Sequence, residues 1–169
     1  MEGLAELYSR RILELASSIP HTTPLVHPQA RVLKHSRLCG SSIEVCVVMS
    51  VETTGIRERK PWLKDNFRVT EFSQDVKACV FGQASAAILG RNLLGQTYES
   101  VQHVYESVCH MLCGDDIVDG LAWKDLDVLE AAKEYPNRHN SLLLPFEATL
   151  EAISKARQFI CKTQHLPDA

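Results

Sequence analysis

Leu38-Cys39-Gly40-Ser41-Ser42-Ile43-Glu44-Val45-Cys46-Val47-Val48-Met49 carries the strongest structural pattern in the chain. Apolar side chains at 43, 45, 47 and 49 recur with period two, the spacing of a strand with one buried face, and Glu44 and Cys46 fall on the other face. A strand is therefore predicted over residues 43–49. Ser41 and Ser42 open it, and a Cys-Gly pair stands just ahead. Gly40 has no Cβ, so the backbone can turn tightly there and come close to a bound ion.

Working outward, Pro20, Pro24 and Pro28 exclude regular structure up to about residue 29, because each lacks a backbone donor and biases its predecessor toward extended geometry. Ahead of them Leu4, Leu7, Tyr8, Ile12, Leu15 and Ala16 recur at near-helical spacing, which predicts an amphipathic helix over 4–18. Downstream, the polar run 52–66 with Gly55 and Pro61 reads as a long hairpin connection, followed by two further strands at 67–72 and 76–80. Small residues and helix formers at 83–89 begin a helix that stops at Gly95. Thr97 offers an N-cap for a second helix ending near Gly114. A short helix near 126–134, a break at Pro136 and a long helix reaching Phe159 follow, with Pro145 expected in that helix's first turn or at a kink. Strands first and helices afterwards spell an α+β fold, a small antiparallel three-stranded sheet with helices packed on one face, with residues 1–169 as a single domain.

Charge and composition narrow the function. The chain of 169 residues is 45% hydrophobic, enough for one core, and its net charge of -3 with scattered Lys and Arg leaves no footprint for nucleic acid or an anionic membrane. No apolar run approaches the roughly 20 residues that span a bilayer, and the first residues carry no signal-peptide core, so a cytoplasmic protein is expected. In a reducing compartment the six cysteines are read as metal ligands, reactive groups or core filler rather than disulfides.

Three side chains stand out. Cys39 precedes a turn glycine. Cys79 sits two residues after Lys77, on the same face of an expected strand, and just ahead of a helix start, where the ammonium and the positive helix end both favour thiolate. His139 follows Pro136 at the start of the last helix. The other cysteines read less sharply: Cys46 as buried, Cys109 and Cys113 as core thiols on one helix face or a second metal site, Cys161 as an unpaired surface thiol. His103 and His110 are read as solvated, the Arg57, Arg59, Lys60, Trp62, Lys64 segment as a solvated loop or a docking surface, and Trp123 as an indole packed back on the domain.

Four blocks in order give these residues a common meaning. Tyr8-Ser9-Arg10-Arg11-Ile12-Leu13, Leu38-Cys39-Gly40-Ser41, Ala78-Cys79 followed by Ala84-Ser85-Ala86, and His139-Asn140-Ser141-Leu142-Leu143 resemble the opening helix, Cys-Gly-Asp motif, Gly-Cys helix and His-Cys-Ser-Met-Leu segment of the U-type iron–sulfur cluster assembly scaffolds, the family of IscU, SufU and the N-terminal domain of NifU. The resemblance implies a non-enzymatic scaffold that holds iron, zinc or a transient [2Fe–2S] cluster on Cys39, Cys79 and His139, fed with sulfur by a cysteine desulfurase and with iron by a donor, and emptied into apo-client proteins. Ser41 replaces the family's Asp and Asn140 its third Cys. Both are weaker ligands than the groups they replace. Three strong ligands suit Zn²⁺ or Fe²⁺ with an open position, whereas a [2Fe–2S] cluster wants four, the fourth to come from a second subunit in a homodimer, a small thiol or Cys46. Of the family's chaperone-recognition stretch only Pro136 is kept. The same architecture serves SufE-type sulfur acceptors, so an alternative function is persulfide acceptance on Cys39 or Cys79, or regulation of the desulfurase; a third is a zinc-stabilised structural domain.

Overall fold

The computed structural model describes residues 4–51, 67–115 and 122–164. The long connection expected at 52–66, with its basic segment, lies outside them. The expected helix at the start is α1, Leu4–Ala16, with Ile12 and Leu15 buried. The proline-rich segment after it forms no element, as its lack of backbone donors requires.

Three antiparallel strands follow in the order β1-β2-β3: β1 Ala30–His35, β2 Ser42–Val51 and β3 Phe67–Lys77. β2 is the central strand, and Ile43, Val45, Val47 and Met49 are buried on one face, as the alternation demands. Cys46 is buried on the other face. Its neighbour across the ladder, Ser73, accepts a hydrogen bond from the Leu25 backbone N–H, so the proline-rich segment crosses that side of the sheet.

The strand assignments need two corrections. β1 was not expected, and the predicted strands at 67–72 and 76–80 are one strand ending at Lys77. A bulge explains the second. Val48 pairs with Glu71 but Met49 pairs with Val69, leaving Thr70 as the extra residue, and its hydroxyl donates to the Val48 carbonyl at 3.2 Å. Val69 and Phe72, three apart, are therefore both buried, and the alternation fails midway. Cys79 lies beyond the strand, at the N-cap of α2, Val80–Asn92.

α2 is built of small residues and is buried along most of its length, between α1 and a long final helix. α3, Tyr98–Cys113, carries the expected Thr97 cap, here a full capping box with Ser100, and ends on Gly114 at φ 86. Two 3₁₀ turns, Leu126–Ala132 and Pro136–Arg138, lead into α4, His139–Gln164, which packs across β1 and β2. Pro145 is in the second turn of α4 rather than the first, where it removes the N–H that would have bonded the Ser141 carbonyl.

One apolar cluster joins sheet and helices, and Trp123 packs into it against Phe146, ring centroids 6.1 Å apart. Cys161, expected at the surface, is only 2% exposed and belongs to this core, because α4 turns that face inward. Among the described residues no helix is long and apolar enough to cross a membrane.

Candidate functional site

The turn between β1 and β2 is closed by its own backbone. Ser36 N–H donates to the Ser41 carbonyl at 2.8 Å and Gly40 N–H to the Ser36 carbonyl at 3.0 Å, so Arg37, Leu38, Cys39 and Gly40 form the tip. Gly40 holds φ at +69°, a left-handed conformation that only glycine adopts without strain. The tip folds the Cys39 sulfur back between two serines. Its Sγ lies 3.1 Å from the hydroxyls of both Ser36 and Ser41, and those serines are themselves buried.

Ser41 reaches across to the first turn of α4, where its hydroxyl meets that of Ser141 at 2.9 Å; Ser141 in turn lies 3.3 Å from the Cys79 sulfur at the head of α2. The chain thus brings Cys39 and Cys79 to one pair of hydroxyls. Close helix contact makes this possible: a Cβ on Gly82 of α2 would fall 2.6 Å from the Ser141 hydroxyl oxygen and 2.9 Å from its carbonyl oxygen. Ser85 of α2 also donates to the Leu142 carbonyl at 2.6 Å, fixing the start of α4 against α2.

The electrostatics follow from the hydroxyls. Partial burial pushes the Cys39 thiol up, but hydrogen bonds from the Ser36 and Ser41 hydroxyls, the Ser41 backbone N–H and Ser141 outweigh it and bring the pKa from 9.0 to about 7. Near neutral pH about half of Cys39 is therefore thiolate, the nucleophilic form. A serine hydroxyl has one hydrogen. When Ser41 gives its hydrogen to the Cys39 thiolate, Ser141 accepts from the Cys79 S–H, and its single hydrogen goes either to Ser41 or to the Cys39 sulfur.

His139 and Asn140 stand apart from this chain. His139 Nε2 lies 3.0 Å from the Ala132 carbonyl; since a carbonyl only accepts, that nitrogen carries a proton. Asn140 is exposed. Among the described residues no three His, Cys, Asp or Glu side chains are grouped to hold a metal ion. Lys77 does not support Cys79 as expected: with Cys79 off the strand the two no longer share a face, and the Lys77 ammonium pairs with Asp75 at 3.4 Å in solvent. Ser36 and Ser141 were missed as site residues. Their only signal was that they flank the Cys-Gly and His-Asn pairs.

Among the described residues the thiols on α3 belong to no group of three metal-ligating side chains. Cys109, whose ordinary pKa is raised by burial, shares hydrogen-bonding range with Tyr105, and Cys113 is exposed. His110 pairs with Asp115 at 3.1 Å.

No family model matches the chain. An iron–sulfur cluster assembly scaffold protein IscU from Thermotoga maritima is 23% identical over 149 residues, covering 88% of this chain and 94% of that protein. The crystal structure of a nitrogen-fixing NifU-like protein (N-terminal) from Brucella abortus is 30% identical and superposes with a TM-score of 0.72, covering 89% of this chain and 94% of that one. The chain belongs to the IscU/NifU N-terminal/SufU scaffold family. The SUF-system protein FiSufU from Fervidobacterium islandicum AW-1 shares the fold at 15% identity, with a TM-score of 0.71 over 89% of this chain and 99% of that one. This α+β arrangement, a three-stranded antiparallel sheet packed against helices, is the IscU-like fold. In this chain Ser41 and Ser141 stand between the candidate cysteines Cys39 and Cys79.

Proposed function

We propose that this scaffold-family protein serves iron–sulfur cluster assembly chiefly by handling sulfur, with Cys39 accepting a sulfane sulfur from a cysteine desulfurase. Cys79 stands beside it to share the cargo. The observation that carries this reading is the hydroxyl cradle that lowers the Cys39 pKa to about 7 and continues through Ser141 to Cys79. A thiolate that attacks an enzyme-bound persulfide needs accessibility and a pKa near ambient pH, and Cys39 has both, being half-buried at the tip of a turn. No third thiolate is required.

The transfer balances without an external oxidant. Cys39 Sγ⁻ attacks the outer sulfur of the desulfurase persulfide, a new S–S bond forms on Cys39, and the enzyme's own thiolate leaves.

A second reading has its own support. His139 donates Nε2–H to a backbone carbonyl, the arrangement in which metal-ligating histidines are held, with Nδ1 left to bind. Cys39, Cys79 and His139 would then hold Fe²⁺, Zn²⁺ or a transient [2Fe–2S] cluster as cargo once the start of α4 closes, with Ser41 and Asn140 as weak additional ligands. The zinc-stabilised domain has less to recommend it, since the apolar core is continuous beneath the site.

Anaerobic incubation with a cysteine desulfurase, L-cysteine and ferrous iron separates the two. Sulfur handling predicts that Cys79→Ser still takes sulfur on Cys39 while losing bound iron. If His139→Ala abolishes sulfur uptake as fully as Cys39→Ser does, the metal reading takes precedence.

A further inference from the structure

Beside the Cys39 turn lies a cavity of about 270 Å³. The end of β1 supplies His35 to its walls, the turn Ser36, Arg37 and Leu38, and the first turns of α4 Asn140, Leu144 and Glu147. Ser36 belongs to both places: it lines the cavity, and its hydroxyl is 3.1 Å from the Cys39 sulfur. Cys39 itself is not among the lining residues; Ser36 is the residue that joins its sulfur to the cavity.

The wall chemistry is specific. Among the described residues the side chains of Arg37 and Asn140 make no hydrogen bond or ion pair, and the Glu147 carboxylate is met only by the Tyr105 hydroxyl at 3.4 Å, on Oε1. A guanidinium, an amide and a carboxylate with unused capacity therefore face one space, with Leu38 and Leu144 as apolar sides. A simple anion would be repelled by Glu147 and a simple cation by Arg37. A molecule carrying both charges meets neither penalty.

We propose that this cavity binds a small zwitterionic thiol, its carboxylate on Arg37 and its ammonium on Glu147, and that this thiol carries sulfane sulfur away from Cys39. The step rests on the sulfur-acceptor reading above. The bound thiolate attacks the outer sulfur of the Cys39 persulfide, its new S–S bond replaces the one to Cys39, and Cys39 leaves as thiolate, so no electrons are gained or lost overall. The hydroxyls of Ser36 and Ser41 that cradle Cys39 stabilise that leaving thiolate.

Two measurements test the proposal separately from the reading beneath it. S-methyl-L-cysteine, which has both charges but no reactive thiol, is titrated into isotope-labelled protein; saturable shifts of the Ser36, Leu38 and Asn140 amides are expected, with affinity reduced about tenfold in Arg37→Gln and in Glu147→Gln. Absence of those shifts, or equal affinity in the variants, overturns the cavity assignment whether or not Cys39 ever takes sulfur. On persulfidated protein, L-cysteine should then remove sulfur about tenfold faster than 2-mercaptoethanol at equal thiolate concentration, with cysteamine and N-acetylcysteine losing most of the advantage because each lacks one charge. Equal rates for all four thiols would overturn the transfer step.

Discussion

Ser36→Ala isolates one strut of the cradle. The backbone bonds that close the turn, Ser36 N–H to Ser41 and Gly40 N–H to the Ser36 carbonyl, do not involve the removed hydroxyl, so the turn is kept. In the folded protein four hydrogen bonds bring Cys39 from 9.0 to about 7 against the opposing pull of burial. Each one is then worth at least roughly half a pH unit, and a hydroxyl directed at a charged sulfur is worth about one, or ~1.4 kcal/mol. The variant should titrate near about 8. At pH 7 its thiolate fraction falls from about a half to about a tenth, but intrinsic nucleophilicity rises about threefold per pH unit of basicity. Alkylation of Cys39 by iodoacetamide, followed by peptide mass mapping from pH 5.5 to 10, should therefore slow only about twofold at pH 7 and reach a plateau about threefold higher at alkaline pH. A wild-type midpoint at the ordinary cysteine value, or superimposable profiles for the two proteins, would refute the cradle argument.

Further outcomes follow from neighbouring residues. Gly82→Ala places a methyl 2.6 Å from the Ser141 hydroxyl oxygen and 2.8 Å from Ala78 Cβ; it should cost about 1–3 kcal/mol of stability, read as a melting temperature lower by several degrees, and should weaken the Cys79–Ser141 contact. Asn140→Cys adds a thiolate at an exposed position next to His139 and should lengthen retention of a reconstituted cluster, measured by anaerobic absorption decay; an unchanged lifetime would count against a ligand role for that position. Cys39 also makes stability depend on pH. Its folded pKa of about 7 lies below 9.0, so the folded state binds fewer protons between those values, and the stabilisation is complete above the unfolded pKa and lost as pH falls through the folded one. The stability gap between wild type and Cys39→Ala in urea titrations should widen from pH 7 to pH 9, and a gap that narrows would reverse the sign of the argument.

Much of this was legible in the chain. β2 alternates cleanly because one face is packed under α4 and the sheet edge is elsewhere; α3 announces itself through Thr97 and Gly114, whose chemistry is local. β1 was hidden because Ala30-Arg31-Val32-Leu33-Lys34-His35 follows a proline-rich segment with no turn signal to separate them. β3 broke in two on paper because the bulge at Thr70 shifts the period, and because Ser73 and Gln74 are buried polar residues where an apolar one was sought. Cys39 and Cys79 could be named from sequence, yet their relation could not: it runs through Ser141, whose role depends on α2 and α4 approaching at Gly82. Local reasoning favoured Cys79 as the thiolate on account of Lys77. Tertiary structure gives the donors to Cys39 instead, since Ser36 and Ser41 close the same turn that presents it.

Sulfur transfer to Cys39 is read from the intact mass of the protein after anaerobic incubation with a cysteine desulfurase and L-cysteine. The protein should gain one sulfur atom, located by peptide mapping on Cys39, removed by reductant, absent in Cys39→Ser and preserved in Cys161→Ser, whose thiol is buried in the core. No gain in the wild-type protein, or a gain that persists undiminished in Cys39→Ser, would contradict that transfer.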